Sequence, residues 1–504
     1  MGNPIKKLAG QTAVYGLSSI LGRFLNYLLT PYWINEGGGG FSTDQFGVIT
    51  EMYAYVAFLV VFLTYGMETT YFRYASKDEY ESKNVYSTIL PTVIFSSVGF
   101  IIISLLFSQG IANWLMYPDH SEYVIWFAII VGFDAVSSIP LAYLRKENRA
   151  KKFAVVNLGN VVVNIGLNLF FIGYCKTNFE AGNSNWLIDL VYNPEIGVGY
   201  VFIANLVASA FKLIVVLPEM YLVRAGVFVK SYLKPFFKYS IPLLFVGLAG
   251  IVNETLDRVL LKRILVNDVG LDEAMSQLGI YGANYKLSIV ITLFIQAYRY
   301  AAEPFFFAKE KEQNSKEMYS KIMNYFVVVV SFLFLLVTGY IDLFKYFIPN
   351  DDFWEGLKVV PILLLANVLL GVYYNLSIWY KLSHKTGYGA LVSIMGAIVT
   401  IGLNLALIPS MGYYGAAWAT FFCYLSMVVV SYVLGKKYYP IPYNLKRISS
   451  YSLLAVMFFL ISEFLLSHLE FPIKLMLNTF ILLVYLGIAY IFERPKKQLN
   501  RKSL

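Results

Sequence analysis

Long apolar segments alternate with short polar connections along almost the whole chain. An apolar run of about twenty residues forms a helix that can cross a hydrocarbon core of about 30 Å with its backbone amides bonded inside the helix. The pattern predicts an all-α integral membrane protein with about fourteen transmembrane helices. The predicted spans cover residues 11–33, 46–70, 87–107, 122–144, 153–173, 197–223, 238–263, 280–306, 322–341, 357–380, 388–408, 413–435, 448–468 and 474–492.

Basic residues are concentrated in alternate connections. Most of the 40 Lys and Arg residues lie near residues 6–7, 73–83, 145–152, 224–238, 309–321, 381–385, 436–447 and 494–502. The remaining connections hold only Lys176, Lys262, Arg263, Lys345 and Lys474. Cytoplasmic connections carry the excess of positive charge, so the first set is predicted to be cytoplasmic. Both ends of the chain belong to that set, which requires an even number of spans.

Composition agrees with this interpretation and narrows the chemistry. Hydrophobic residues make up 58% of the chain and charged residues 14%, whereas soluble domains carry about 25% charged residues. The net charge of +9 does not indicate nucleic-acid binding, because the basic residues lie in short clusters between apolar runs. Cys175 and Cys423 are too few and too far apart for a disulfide framework, and the three His residues show no metal-ligand spacing. No cofactor is predicted, and no connection is long enough for a separate domain.

The sequence contains an internal repeat. Ile165–Leu169 reads Ile-Gly-Leu-Asn-Leu, and the same five residues recur as Ile401–Leu405, at an offset of 236. Arg23 in the first span and Arg258 in the seventh stand at nearly the same offset. Shared offsets at matching places in the topology predict two parallel six-helix lobes related by an axis along the membrane normal.

The repeat predicts a division of the chain into three parts. An N-lobe of spans 1–6 occupies residues 1–225, and a C-lobe of spans 7–12 occupies residues 226–436. Spans 13 and 14 and a cytoplasmic tail occupy residues 437–504. Two facing lobes enclose a cavity whose opening can alternate between the two sides of the membrane, which is typical of transporters.

Arg23 lies near the middle of the first span. An ionisable group at that depth is costly and usually faces a cavity or a partner. One interpretation is structural pairing with a neighbouring helix. The other is a cation for an anionic ligand, since a guanidinium is always charged and donates to phosphate in a planar fork. Arg23 belongs to a polar stripe at helical spacing that also contains Thr12, Gly16, Ser19, Asn26, Tyr27 and Thr30.

The seventh and eighth spans also carry charges. Glu254, Asp257 and Arg258 stand at i, i+3 and i+4 and are predicted to share a helix face. Structural pairing and a functional role explain them equally well. In the eighth span Lys286 lies toward the outside and Arg299 toward the inside, roughly 20 Å apart along the axis. Cations at several depths are candidates to pass an anion across the membrane.

Three further charged residues have open interpretations. Asp134, at the centre of the fourth span, is a candidate proton or Na⁺ site, or else a permanent partner of Arg23 or Lys212. Glu68 and Arg73 end the second span near the predicted cytoplasmic face. They are candidates for an inner gate, or else they form a solvated helix end.

Four segments, taken in order, carry a family resemblance. They are the first span with its central Arg23, Gly66–Tyr74 ending the second span, Pro140–Arg145 ending the fourth before a basic turn and Phe153, and Gln296–Phe306 in the eighth. Together they resemble the polysaccharide flippases of the multidrug/oligosaccharidyl-lipid/polysaccharide exporter superfamily. The resemblance covers the whole chain, including two helices beyond the paired six-helix lobes.

The resemblance implies a flippase, not an enzyme, in a bacterial inner (cytoplasmic) membrane. Its substrate would be undecaprenyl-pyrophosphate-linked oligosaccharide for a surface polysaccharide such as the O-antigen of lipopolysaccharide, moved to the outer leaflet by alternating access. Spans 13 and 14 would form a groove for the lipid tail, with membrane lipids and glycan polymerase or assembly proteins as further partners. The expected pyrophosphate ligands are Arg23, Arg258, Lys286 and Arg299. The expected ion-coupling residues, for a proton or Na⁺, are Asp134, Glu254 and Asp257.

Other functions fit the sequence less well. Lipid II flippases share the architecture but usually carry a denser cluster of cavity arginines. Drug/cation antiporters of the same superfamily typically have twelve spans and a cavity dominated by acids and aromatics. A membrane polysaccharide polymerase or glycosyltransferase usually needs a long outer loop with catalytic side chains, and the connections here are short.

Overall fold

The computed structural model describes residues 16, 18–310 and 312–494. Every regular element in this part of the chain is helical, and thirteen of its helices are long and apolar enough to cross a membrane. The predicted first span begins outside the described residues, and its described part is helical over 18–27 and over Leu29–Ile34. The predicted all-α fold with about fourteen spans is confirmed. The basic clusters at residues 6–7 and 496–502 lie outside the described residues.

The helices are numbered α1 to α14 in chain order, with the described part of the first span (18–34) as α1. The next six are α2 (Thr43–Tyr74), α3 (Ser82–Leu106), α4 (Ser121–Lys146), α5 (Ala150–Glu180), α6 (Gly199–Ala225) and α7 (Lys230–Val269). The last seven are α8 (Leu271–Lys309), α9 (Ser315–Gly339), α10 (Asp351–Leu382), α11 (Thr386–Met411), α12 (Tyr413–Tyr438), α13 (Leu445–Leu465) and α14 (Phe471–Glu493).

The helices pack mainly with others from their own half of the chain. In the first half α4 contacts α2, α3 and α6, and α5 packs on α6. In the second half α7 and α10 both pack on the continuous α11–α12 pair, which bends at Gly412 with the positive φ of 55° that glycine tolerates. Helices α13 and α14 pack on α9. Helix α2 also contacts α7 and α8 of the second half. The lobe limits at residues 225 and 436 stay a prediction.

The repeated pentapeptide has the same local structure in both halves. Asn168 and Asn404 are both fully buried. Each donates its side-chain amide to the backbone carbonyl four residues earlier, at 2.8 Å, Asn168 to Asn164 and Asn404 to Thr400. The two copies therefore occupy equivalent buried positions in α5 and α11.

The two halves are tightly packed at one end of the molecule. We call this end the far end. The opposite end, where the basic connections lie, is called the basic end. At the far end a Cβ atom added to Gly279 of α8 would lie 1.7 Å from the carbonyl oxygen of Thr43, and one added to Gly47 of α2 would lie 2.2 Å from that of Met275. The Thr43 and Ser276 hydroxyls are 2.8 Å apart. Only glycine allows α2 and α8 to approach this closely.

Replacing Gly279 with Ala is therefore expected to destabilise the packing of α2 on α8. The new methyl group meets rigid backbone, and overpacking of this kind costs about 1–3 kcal/mol. The measurement is the thermal unfolding midpoint of the purified protein in detergent. Gly402→Ala is the matched control, because no atom lies within 4 Å of a Cβ added there. An unchanged midpoint for Gly279→Ala would contradict the close contact.

Candidate functional site

Two adjoining cavities lie between the halves of the chain. Cavity 1 has a volume of about 610 Å³ and extends along α8 toward the basic end. Its polar wall is formed by Arg23, Glu254, Gln296, Arg299 and Glu303. Cavity 2 has a volume of about 380 Å³ and lies nearer the far end. Volumes of this size are typical of ligand pockets.

Cavity 2 is lined by both halves. Its polar and aromatic wall comprises Asn26, Tyr27, Thr30, Trp33, Thr50, Tyr53, Asn164, Asn205, Glu254, Thr255, Arg258, Tyr285 and Lys286. Glu254 lines both cavities and is exposed. It therefore marks the junction between them.

The four predicted substrate-binding cations all line these cavities. Arg23 and Arg299 face cavity 1, and Arg258 and Lys286 face cavity 2. Arg23, from the first half, and Arg258, at the matching place of the repeat, thus meet the same central space. Lys286 and Arg299 line different cavities.

The cations differ in how far they are already neutralised. Arg299 is 3.3 Å from Glu303, which also binds Lys381 at 2.8 Å. By contrast, Arg23, Arg258 and Lys286 make no ion pair with any described residue. The guanidinium of Arg258 lies 4.0 Å over the Tyr285 ring, and the Lys286 amine lies 5.2 Å over the Tyr27 ring.

One nitrogen of this set is buried without a hydrogen bond. The Nη2 of Arg258 is buried and has no hydrogen-bond partner among the described residues. A buried donor left unsatisfied is costly, and more so when it is charged. The arrangement is suited to a bound anion, which would accept from this nitrogen.

The predicted ion-coupling residues occupy three different environments. Glu254 faces both cavities. Asp257 points away from them, buried, and accepts a hydrogen bond from the Tyr281 hydroxyl at 2.5 Å. Asp134 lies outside both cavity walls and pairs with Lys212 at 2.5 Å. Of the three residues predicted to share a helix face, Glu254 and Arg258 line the cavities and Asp257 does not.

The two predicted gate residues have separate partners. Glu68 binds Arg145 of α4 at 2.5 Å, and both side chains are about two-fifths exposed, 39% and 44%. The Arg73 guanidinium lies 4.3 Å over the ring of Tyr239 in α7. Glu68 therefore ties α2 to α4, whereas Arg73 contacts the other half. A gating role stays a prediction for both.

Among the described residues no three His, Cys, Asp or Glu side chains stand close enough to hold a metal ion together. The side chains that line the cavities offer electrostatic binding and hydrogen bonding by Arg, Lys, Glu, Asn and Tyr.

Comparison with known families identifies the chain. Residues 8–308, more than half of its length, match the family described as polysaccharide biosynthesis protein. The chain belongs to that family. No curated protein sequence matches the chain.

Solved structures share its fold. Lipid II flippase MurJ in an inward closed conformation matches with a TM-score of 0.68 and 14% sequence identity, over 95% of this chain and 99% of that one. An inward-facing multidrug resistance transporter of the MATE family, in the MOP superfamily, matches with a TM-score of 0.60 and 13% identity, over 87% and 95%. The resemblance to flippases of that superfamily, drawn from the sequence, is confirmed.

A buried ion pair was not predicted from the sequence. Lys262 of α7 lies 2.8 Å from Glu51 of α2, and both side chains are 1% exposed. Lys262 also donates to the Leu115 carbonyl at 2.7 Å, and Glu51 accepts from the Tyr117 hydroxyl. Lys262 was counted with the connections, at the end of the predicted span 238–263; the helix instead continues to Val269, and Lys262 is buried in the packed far end.

This ion pair joins the two halves of the chain. Glu51, Leu115 and Tyr117 belong to the first half and Lys262 to the second. Beside it, Arg263 stacks 3.8 Å over Trp114 and donates to the Tyr55 hydroxyl. A signal was present in the sequence, since Glu51 is a carboxylate inside a predicted span. Nothing in the spacing linked it to Lys262, 211 positions away.

Proposed function

We propose that this protein is a flippase for an anionic lipid-linked glycan, undecaprenyl-pyrophosphate-linked oligosaccharide, and not an enzyme. The observation that carries the proposal is the set of four cations facing two adjoining cavities between the halves, with Arg258 Nη2 buried and unsatisfied. A pyrophosphate is a compact polyanion that such cations bind well. Family membership in polysaccharide biosynthesis supports a glycan as the cargo.

The pyrophosphate is proposed to sit at the junction of the cavities. There it accepts from Arg23 on the cavity 1 side and from Arg258 on the cavity 2 side, with Arg299 and Lys286 extending the positive surface in either direction. Because the cations lie at different depths, the anion stays in contact with at least one of them as the lobes move.

The proposed orientation follows from charge. The basic end faces the cytoplasm by the positive-inside rule, with both termini cytoplasmic, in a bacterial inner membrane. The far end then faces outward, where the Glu51–Lys262 pair and the α2–α8 contact close the space between the halves. Alternating access requires these contacts to separate so that the cargo can leave toward the outer leaflet.

The lipid tail is proposed to remain in the bilayer, next to the last two helices. Helices α13 and α14 expose large apolar side chains, among them Leu453, Phe464, Met476 and Phe480. Such a surface suits contact with lipid acyl or prenyl chains. Glycan polymerase or assembly proteins would receive the exported glycan for a surface polysaccharide such as O-antigen.

A multidrug antiporter function is disfavoured by the charge of the cavities. A cationic drug would meet Arg23, Arg258 and Lys286, none of which has an ion-pair partner among the described residues. Lipid II, a lipid-linked glycan too, remains a candidate cargo with the same headgroup chemistry. The experiment that separates the candidates is depletion of the protein in its own host, followed by mass analysis of the lipid fraction. Accumulation of a lipid-linked oligosaccharide is expected, and an unchanged lipid fraction would contradict the proposal.

Transport is proposed to be coupled to a proton or Na⁺ gradient through Glu254. Its carboxylate stands at the junction, among the cations that the pyrophosphate needs. A proton or Na⁺ on Glu254 would remove its competition for those cations, which links ion binding to cargo binding.

Glu254→Gln is accordingly expected to abolish the stimulation of transport by an imposed ion gradient while slow downhill movement persists. The measurement is transport in proteoliposomes with and without pH and Na⁺ gradients. Asp134→Asn and Asp257→Asn are the matched variants, since their carboxylates bind Lys212 and Tyr281 outside the cavity walls. Gradient-stimulated transport by Glu254→Gln would exclude it as the coupling site.

A further inference from the structure

Cavity 2 contains a group of amide side chains that the cation-based function does not use. Asn26 of α1, Asn164 of α5 and Asn205 of α6 come from three different helices and line the same wall. An amide side chain offers one acceptor oxygen and two N–H donors. A phosphate oxygen only accepts, whereas a sugar hydroxyl both donates and accepts. The amide group therefore matches a sugar better than it matches a pyrophosphate.

The amides are held in place but keep bonding capacity. Asn164 donates to the Asn26 side-chain oxygen at 3.1 Å, and Asn205 donates to the Tyr53 hydroxyl at 3.2 Å. Neither the Asn26 amide nitrogen nor the Asn205 amide oxygen makes a hydrogen bond with a described residue. The Asn26 amide nitrogen thus remains available as a donor, and the Asn205 amide oxygen remains available as an acceptor.

An ordered aromatic ring completes this wall. Trp33 lines cavity 2, and its indole N–H donates at 2.8 Å to Asn168, which in turn donates to the backbone of Asn164. The hydrogen bond fixes the ring while leaving its face apolar. Sugar rings present flat C–H faces that pack on aromatic rings, so an aromatic beside several amides is the combination that a sugar requires.

We infer that Asn26, Asn164, Asn205 and Trp33 form a glycan subsite that binds the lipid-proximal sugars of the cargo and sets its specificity. The inference rests on the function proposed above, with the pyrophosphate held at the Glu254 junction. Cavity 2 adjoins that junction on the far-end side. A sugar attached to the pyrophosphate is therefore within reach of cavity 2 when the anion is bound.

The test measures the affinity of the full-length protein, in nanodiscs, for two kinds of short-chain prenyl diphosphate probe. One is bare farnesyl diphosphate, and the other is farnesyl diphosphate carrying glucose, galactose or N-acetylglucosamine. The wild type is expected to bind at least one sugar-bearing probe about tenfold more tightly than the bare probe. Loss of one neutral hydrogen bond to the ligand lowers affinity about 2–10-fold. The double variant Asn164→Ala/Asn205→Ala is therefore expected to lose most of the sugar-dependent gain and to keep its affinity for the bare probe.

Control variants distinguish a loss of sugar binding from a general loss of affinity or stability. Asn178→Ala removes an exposed amide that bonds the Tyr174 carbonyl outside the cavities and should change neither affinity. If the double variant unfolds at a lower temperature than the wild type, the milder single variant Asn205→Ser replaces it in the comparison. The inference is overturned if the wild type binds no sugar-bearing probe more tightly than the bare one, or if the variants weaken both probes equally. Failure of the proposed function looks different, because the bare probe itself would then not bind or would be insensitive to Arg23→Gln.

Discussion

Arg23→Ala and Arg258→Ala are each expected to lower glycan export at least tenfold while the protein stays folded in the membrane. Hydrogen bonds to charged groups contribute about 1.5–3 kcal/mol each, which corresponds to roughly 10–150-fold in affinity. Both guanidiniums line the central cavities, and neither has an ion-pair partner among the described residues. The measurement is surface glycan per cell, normalised to membrane-inserted protein.

The matched control for the arginine variants is Arg447→Ala. Arg447 lies in α13, pairs with Glu493 at 3.3 Å and is 41% exposed. It is an arginine of the same charge outside both cavities, and its partner Glu493, 13% exposed, keeps a hydrogen bond from the Tyr451 hydroxyl when Arg447 is replaced. Normal surface glycan in a strain carrying both Arg23→Ala and Arg258→Ala would contradict the cation-lined cavity as the substrate site.

Lys262→Met is expected to destabilise the far-end-closed state by about 3–5 kcal/mol, because it leaves the Glu51 carboxylate buried without its partner. The double variant Glu51→Gln/Lys262→Met should recover much of that loss, since neither charge is then buried. Opening is measured by a membrane-impermeant maleimide on Met275→Cys, with Cys175 and Cys423 changed to Ser. Met275 is buried at the far end, 4% exposed, so labelling reports separation of the halves.

A second lysine offers the control for that experiment. Lys474 pairs with Asp342 at 2.6 Å, but the two side chains are 17% and 34% exposed. Pairs open to solvent contribute at most about 1 kcal/mol, so Lys474→Met should leave Met275→Cys protected. Equal labelling in Lys262→Met and wild type would show that the buried pair does not hold the far end closed.

Hydrophobic patterning predicted the number and order of the helices but not their full lengths. The seventh span was predicted over residues 238–263, whereas α7 covers Lys230–Val269. Hydropathy reports the part of a helix that suits a hydrocarbon core, and polar residues such as Lys230 and Asp268 continue the helix beyond it. Lys262 falls near the end of the predicted span, and the structure places it in the packed far end.

The candidate site was predictable where single residues violate the apolar pattern. Arg23, Arg258, Lys286 and Arg299 were found because charges inside spans are costly and usually face a cavity. Pairing between helices was not predictable in the same way. Sequence alone left Asp134 with either Arg23 or Lys212 as its partner, and only the packing of α4 on α6 brings it to Lys212.

The amides of cavity 2 gave no comparable signal. Asn residues inside membrane helices are only mildly unfavourable, and many here bond their own helix backbone, as Asn168 and Asn404 do. Asn26, Asn164 and Asn205 lie on three helices that are far apart in the chain, and their common wall exists only in the folded protein.

The most direct test of the central claim is a flipping assay in proteoliposomes that contain a fluorescent prenyl-diphosphate-linked sugar in both leaflets. A membrane-impermeant quencher reaches only the probe in the outer leaflet unless the protein moves the rest. With the wild type and an imposed ion gradient, nearly all of the probe is predicted to become accessible, whereas the Arg23→Ala/Arg258→Ala double variant should match protein-free liposomes. Wild-type liposomes that also match the protein-free control, or that move an uncharged prenyl-linked sugar equally fast, would contradict transport through a cation-lined cavity.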